Sequence, residues 1–203
     1  MSIEYRDVSG PVGLRDSGGA PPVIRGYAAV FDQWTTLYED AHVVIRERIR
    51  PGAFARAIRE RQDVRALFNH DPRLLLGRTL SGTCRLTVDS HGLAYEVDMS
   101  DTTIGRDCLI FIRRRDVTGS SFGFRIRPGG QAVTRSMDRG TNRRLIERDV
   151  MDLDLFDVSP VTYPAYQGTE VGVRQGREPL DAARLARMEK LRREIDEASR
   201  SAS

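Results

Sequence analysis

The chain has 203 residues, a length that suits one ordinary domain with a sizeable core and a tail and excludes two large domains. Hydrophobic residues make up 39% of it and charged residues 30%, which excludes a chain disordered throughout, and no uncharged run approaches the length of a bilayer span. The net charge is only +3 and is spread along the chain, so it gives little support to nucleic-acid binding.

Several simple features of the sequence indicate where the protein acts and whether it needs a cofactor. The first residues lack the charged flank and apolar core of a secretory signal, which predicts an intracellular protein that is not secreted. The two cysteines, Cys84 and Cys108, form no CxxC pair and have no histidines at metal-ligand spacing, so both are expected to be reduced core residues. The arginines at 113–115 follow a helical apolar pattern, where cations favour the helix end. No metal, cofactor, membrane or nucleic-acid partner is predicted.

The first half of the chain is predicted to be mostly β-structure. Residues 9–22 are dense in Gly, Ser and Pro without an apolar period, so a flexible segment is predicted over residues 1–22. A short helix is predicted over 53–62, because Phe54 and Ile58 share one helical face. Apolar, β-prone residues predict three strands, over 23–31, 42–49 and 64–71. They also predict a hairpin in which residues 84–88 pair with residues 93–99.

The second half alternates between helix and strand. Residues 101–116 show a helical apolar period, with Asp101 or Thr102 placed to cap the start. Strands are predicted over 120–126 and over a long segment, 143–161, with a turn-rich hairpin excursion between them. An apolar stripe then predicts an amphipathic helix over 178–198, following a linker.

A serine motif lies in the strand predicted at 120–126. Residues 119–123, Gly-Ser-Ser-Phe-Gly, match the G-x-S-x-G pattern of the α/β-hydrolase nucleophile. That fold requires the histidine to follow the serine, whereas all three histidines precede Ser121. The α/β-hydrolase fold is therefore excluded by chain order, while Ser121 stays a candidate nucleophile that needs a base.

Among the histidines, His70 is the best candidate base for Ser121. It ends an apolar strand, in Phe-Asn-His-Asp-Pro, where a side chain leaves the edge of the core. His91 lies in the predicted hairpin turn and is expected to be solvated. His42 opens a strand beside two acidic residues.

Ordered motifs extend well beyond the serine and the histidine. Taken together they resemble the prohead (capsid maturation) protease family of tailed bacteriophages, over about residues 26–173. The motifs are, in chain order, Pro-Gly-Ala-Phe (51–54), Asn-His-Asp (69–71) with Leu-Gly-Arg (76–78), Gly-Leu (92–93), Gly-Ser-Ser-Phe-Gly-Phe (119–124), and Asp-Val-Ser-Pro-Val (157–161) with Pro-Ala-Tyr (164–166).

The resemblance implies a fold and a set of site residues. The fold is α+β and mostly β, a β-barrel core with surrounding helices similar to the herpesvirus assembly protease, followed here by the C-terminal helical tail. The implied domains are a flexible segment (1–22), a serine protease domain (23–173), and a linker with the amphipathic helix (174–203). The catalytic residues carried over are His70, Ser121 and Asp157. Alternatives for the third residue are Asp71, Glu147 and His91.

The resemblance also implies a function. Members are serine endopeptidases that act inside the immature capsid in the host cytoplasm, cleave scaffold or the scaffolding segment of the major capsid protein, and process themselves. Self-cleavage is expected near 167–178, and self-association is left open. The alternative is a non-catalytic capsid-assembly or scaffold-like protein with the same fold, whose tail helix binds the shell.

Overall fold

A computed structural model describes residues 3–8, 12–15 and 22–163, and this part of the chain is mostly β-structure. It contains two helices, α1 (Ala55–Arg59) and α2 (Thr103–Arg114). The strands are β1 (Glu4–Val8), β2 (Gly13–Arg15), β3 (Val23–Val30), β4 (Thr35–Glu39), β5 (Val43–Ile49), β6 (Arg65–Phe68), β7 (Asp71–Arg78), β8 (Cys84–Val88), β9 (Gly92–Asp98), β10 (Gly119–Ile126), β11 (Gln131–Asp138), β12 (Arg143–Val150) and β13 (Leu153–Val161).

The described residues divide into two compact units, where the sequence predicts one domain over 23–173. The first unit holds two sheets, a five-stranded sheet in the order β1-β10-β13-β6-β7 and a four-stranded sheet in the order β2-β3-β9-β8. The second unit holds a four-stranded sheet in the order β11-β12-β5-β4. The order of the elements along the chain does not predict this division, because the second unit is made from two hairpins that are distant in sequence.

The described strands form three open sheets, each with two edge strands, instead of the predicted herpesvirus-type β-barrel. The mostly β character is confirmed. Barrel closure requires pairing between the first and last strands of one sheet, and alternation along single strands does not specify that pairing. The predicted C-terminal helix and its linker lie outside the described residues.

The N-terminal segment departs from its predicted flexibility. Within residues 1–22 the structure contains β1, which pairs antiparallel with β10, and β2, which pairs antiparallel with β3. Each of these short strands pairs with the edge of a sheet whose other strands come from later in the chain. Local Gly and Pro content reports only on intrinsic preference, so it could not reveal those partners.

Several predicted elements are confirmed and one is divided. The hairpin of β8 and β9 is present with the expected antiparallel register, and helix α2 begins after Thr102, whose side chain accepts a hydrogen bond from the Gly105 N–H. The segment predicted as one strand over 143–161 is two strands, β12 and β13, which lie in different sheets. Among the described residues, no helix is long and apolar enough to span a membrane.

Aromatic side chains fill the core of the first unit. The ring of Phe54, which precedes α1, packs edge-on against Phe122 of β10, and Phe122 stacks on Phe124 two residues further along. All three side chains are fully buried. Because period-two alternation directs Phe122 and Phe124 inward, the residues between and beside them on β10 face the other side of the sheet.

In the second unit, a buried ion pair joins neighbouring strands. Glu47 of β5 and Arg148 of β12 are each 2% exposed in their side chains and are hydrogen bonded. Replacing Arg148 by methionine leaves a buried carboxylate without this partner, so we expect the free energy of unfolding to fall by about 3–5 kcal/mol. Chemical denaturation monitored by circular dichroism measures this. The matched control is Arg85→Met on the exposed pair with Asp98, where we expect at most about 1 kcal/mol; equal losses would contradict the prediction.

Both cysteines are buried free thiols, as predicted. Burial raises the pKa of each thiol to about 12, which keeps both protonated at neutral pH, and the thiolate is the reactive form. We expect a colorimetric disulfide reagent at pH 8 to find almost no reactive thiol in the native protein and two per chain after unfolding in guanidinium chloride. Fast reaction of the native protein would contradict the burial.

Candidate active site

His70 lies in the tight turn that joins β6 to β7. Phe68 and Asp71 pair across this turn, which leaves Asn69 and His70 as its two central residues. Both have positive φ, 53° and 58° respectively, as a two-residue hairpin turn of the primed type requires. Asparagine tolerates this conformation better than most residues, so Asn69 helps to hold the turn that presents His70.

Asn69 also fixes this turn to the end of β13. Its side-chain amide donates to the Thr162 hydroxyl at 2.8 Å, and its side-chain oxygen accepts from the Thr162 backbone N–H at 2.8 Å. Its own backbone N–H donates to the Pro160 carbonyl. Sequence analysis used Asn69 only as part of a motif and missed this positioning role. An asparagine in a short polar break between two apolar strands was the available signal.

Strand pairing brings the serine and the aspartate to the same face of the five-stranded sheet. In the antiparallel pair of β10 and β13, Ser121 is opposite Ser159, and Gly123 is opposite Asp157. Strand β6 pairs parallel with the other edge of β13, so its terminal turn carries His70 to the same end. Strands β10 and β13 and the turn that ends β6, distant in sequence but adjacent in the sheet, therefore supply the three side chains.

The three predicted side chains form a continuous hydrogen-bonded series. The Ser121 Oγ lies 2.6 Å from His70 Nε2, and His70 Nδ1 lies 2.5 Å from Asp157 Oδ1. With the proton on Nδ1, the imidazole donates to the carboxylate, and its Nε2 lone pair accepts from the serine hydroxyl. The side chain of His70 is 15% exposed and that of Asp157 is 6% exposed, so both bonds lie largely away from water.

A fourth side chain, Ser159, supports the carboxylate. Its hydroxyl donates to Asp157 Oδ1 at 2.8 Å and lies 3.2 Å from His70 Nδ1. Asp157 and Ser159 share a strand face because they are two residues apart, a signal present in the sequence but not used. A Cβ at position 123 would lie 2.2 Å from Asp157 Oδ2, so only glycine leaves room for the carboxylate.

The alternative acids lie elsewhere. Asp71 is bound by the Arg73 side chain, whose hydrogen bonds hold the pKa of Asp71 at about 2. Glu147 belongs to the second unit and pairs there with Arg46 at 2.6 Å. Both carboxylates are therefore engaged by arginines instead of by the histidine of the turn.

The other histidines are exposed, as the sequence predicts for His91. His91 packs edge-on against Tyr27 in the turn between β8 and β9, and His42 lies just before β5. Neither is among the side chains hydrogen bonded to Ser121 in the described structure.

The structure also separates the two adjacent serines. Ser120 points to the opposite face of β10 from Ser121, and its hydroxyl forms a 2.9 Å hydrogen bond with the Tyr95 hydroxyl. Both side chains are fully buried. The hydroxyl that meets an imidazole is therefore that of Ser121.

A serine hydroxyl bonded to an imidazole, itself oriented by a buried carboxylate, has the geometry of the triad of serine hydrolases. The described residues contain no group of three or more His, Cys, Asp or Glu side chains arranged to hold a metal ion. Ser121, His70 and Asp157 thus have the arrangement of a serine nucleophile, its base and an orienting acid.

The chain belongs to the caudovirus prohead serine protease family, whose family model matches residues 12–181. Among solved structures, a similar one is the bacteriophage T4 capsid assembly protease, gp21, with a TM-score of 0.48 and 11% sequence identity over 80% of this chain and 98% of that chain. No curated protein matches the sequence. The match of the family model confirms the family indicated by the sequence motifs.

Proposed function

We propose that this chain is a serine endopeptidase that matures phage proheads. Its substrate is the scaffold or the scaffolding segment of the major capsid protein, and it acts inside the immature capsid in the host cytoplasm. Membership of the prohead serine protease family supports this proposal. The single observation that carries the chemistry is the hydrogen-bonded series from Asp157 through His70 to Ser121.

The first half of the reaction follows from the proton positions in this series. His70 Nε2 removes the hydroxyl proton of Ser121 while Oγ attacks the peptide carbonyl carbon. The resulting imidazolium is stabilised by the adjacent Asp157 carboxylate, which also keeps Nδ1 protonated. His70 then gives the proton from Nε2 to the leaving amine, so the peptide C–N bond breaks and an acyl-serine ester remains.

The second half repeats these steps with water. His70 takes a proton from water as the water oxygen attacks the ester carbon, and Ser121 Oγ leaves with that proton restored. Hydrolysis needs no oxidant, reductant or metal. In each half of the reaction, negative charge develops on the carbonyl oxygen, and hydrogen-bond donors near Ser121 are required to stabilise it.

Coexpression with the capsid precursor encoded in the same genome tests the proposal. Wild-type protein is expected to convert the precursor to shorter products, which denaturing gels and intact-mass spectrometry resolve. Ser121→Ala and His70→Ala are each expected to leave the precursor intact. A precursor that stays intact with folded wild-type protein would contradict the proposal and favour the non-catalytic assembly role.

We also propose that the chain cleaves itself, at a site within residues 167–178. The same cultures test this, because wild-type protein should lose a C-terminal fragment while Ser121→Ala retains its full mass. Identical intact masses for the two proteins would overturn self-cleavage without affecting the proposal for the precursor.

A further inference from the structure

The catalytic strand β10 has one edge that is occupied by the N-terminal strand. Its other edge pairs with β13, whereas β1 pairs along the near edge from Glu4, opposite Phe124, to Val8, opposite Ser120. Asp7 is directly opposite Ser121. If β1 were absent, a backbone edge with Ser121 at its centre would be open for pairing, which is a common way for proteins to bind extended peptides.

Strand β1 places a peptide carbonyl on the nucleophile. The Ser121 Oγ lies within hydrogen-bond distance of two acceptors, the carbonyl oxygen of Arg6 at 3.0 Å and His70 Nε2 at 2.6 Å. A hydroxyl has one proton to donate, so the Arg6 carbonyl competes with the imidazole for it. Attack would instead require the carbonyl carbon to face Oγ, and the pose of β1 is therefore unproductive.

The side chains of β1 alternate between the two faces of the sheet, as those of a bound extended peptide would. Tyr5 lies on the face of the triad, with its ring centroid 4.3 Å from that of His70. Arg6 lies on the other face, with its guanidinium 5.3 Å from the centre of the Phe124 ring. A Cβ at Gly123 would lie 2.9 Å from the Tyr5 ring, so glycine at this position makes room for a bulky side chain from the paired strand.

In the described part of the chain, β1 therefore closes the nucleophile to another polypeptide. Ser121 is 0% exposed, although a substrate carbonyl must reach its Oγ. An extended chain can reach it along the β10 edge only by replacing β1, because both would use the same backbone groups.

We propose that the β10 edge occupied by β1 is the substrate-binding site, and that residues 4–8 are a resident pseudo-substrate that keeps the enzyme inactive until they leave. The site takes an extended polypeptide with a bulky, preferably aromatic, residue two positions before the residue opposite Ser121, as Tyr5 precedes Asp7. This inference rests on the proposed function, because it assigns the substrate site of the same nucleophile.

The test measures how fast a fluorophosphonate probe labels Ser121 in the full-length chain. One variant carries Tyr5→Gly and Arg6→Gly, which remove the contacts of these two side chains with the rings of His70 and Phe124. A second carries Tyr5→Pro, Arg6→Pro and Asp7→Pro, which removes three consecutive N–H donors and cannot keep the pairing. The matched control is Ile3→Pro, at an exposed residue just before β1. Hydrogen exchange at residues 120–124 reports independently whether the β10 edge has opened.

We expect the triple-proline variant to label at least about tenfold faster than wild type, since a site open less than a tenth of the time reacts in proportion to its open fraction. The glycine variant should lie between them, and Ile3→Pro should label like wild type. Faster exchange at 120–124 with an unchanged labelling rate overturns the inference, while leaving the nucleophile intact. Absence of Ser121 labelling in every variant, with the edge open, would overturn the proposed function itself.

A peptide added in trans tests the substrate site separately. A synthetic peptide of residues 3–8, at concentrations of about 1 mM to match the effective concentration of a tethered segment, should slow labelling of the triple-proline variant towards the wild-type rate. The same peptide with Tyr5→Gly should be the weaker inhibitor. Equal inhibition by both peptides would overturn the preference for a bulky residue, and no inhibition by either would overturn the edge as the binding site.

Discussion

Replacing Ser121 by alanine is expected to lower cleavage of the capsid precursor by about 10⁴- to 10⁶-fold, because the acyl-enzyme can no longer form and only binding and carbonyl stabilisation remain. The measurement is the rate of product formation with purified proteins at equal concentration, and circular dichroism shows whether the variant is folded. The Ser121 hydroxyl acts as donor to His70 Nε2 or to the Arg6 carbonyl, so its removal leaves no N–H or O–H group of these two bonds without an acceptor, and little loss of stability is expected.

The matched control is the same substitution one residue earlier. Ser120→Ala removes the partner of the buried Tyr95 hydroxyl, which should cost about 1–3 kcal/mol of unfolding free energy. The substitution leaves the hydrogen bond between Ser121 and His70 unchanged. Activity below the unfolding transition should therefore stay within about threefold of wild type, because the reacting groups are not altered. Equal loss of activity in Ser120→Ala and Ser121→Ala would contradict the assignment of the nucleophile.

Replacing Asp157 by asparagine is expected to reduce turnover by about 10⁴-fold while the protein stays folded. The amide has the shape of the carboxylate, and a nitrogen in place of Oδ1 faces both His70 Nδ1 and the Ser159 hydroxyl, which then has to accept instead of donate. An amide N–H facing Nδ1 favours the histidine tautomer whose Nε2 carries the proton, so Nε2 can no longer accept from Ser121. The loss should therefore appear in kcat more than in KM.

The control for this variant is Asp71→Asn, next to the histidine in sequence. The Asp71 carboxylate is engaged by the Arg73 side chain, so the activity of the Asp71→Asn variant should stay close to that of wild type. Turnover that survives in Asp157→Asn but is lost in Asp71→Asn would assign the orienting role to Asp71 instead.

Period-two alternation carries much of the information in this sequence. The strand over 120–126 is correctly predicted, and the helical period of α2 is strong enough to locate its start at Asp101 or Thr102 and its basic end, the cap being Thr102 in the structure. These signals are local, since each depends on side chains within a few residues. The motif order adds the family, and with it the choice of His70, Ser121 and Asp157.

The sequence could not show what holds the imidazole in place. The positive φ of His70 depends on the turn anchored by Asn69 to Thr162, a contact that spans almost a hundred residues. Sequence analysis also left the third residue open between Asp157, Asp71, Glu147 and His91. Only pairing of β10 with β13, and of β13 with β6, places one carboxylate against Nδ1.

The sequence by itself therefore determined the mostly β composition, the main strands and helices, and the family, because these follow from local periodicity and from motif order. The tertiary structure alone decided which groups meet: the division into two units, the meeting of three strands at one imidazole, and the seating of β1 on Ser121. The physical reason is that strand pairing joins backbone groups whatever their distance along the chain. The residues of an edge strand do not specify which strand it pairs with.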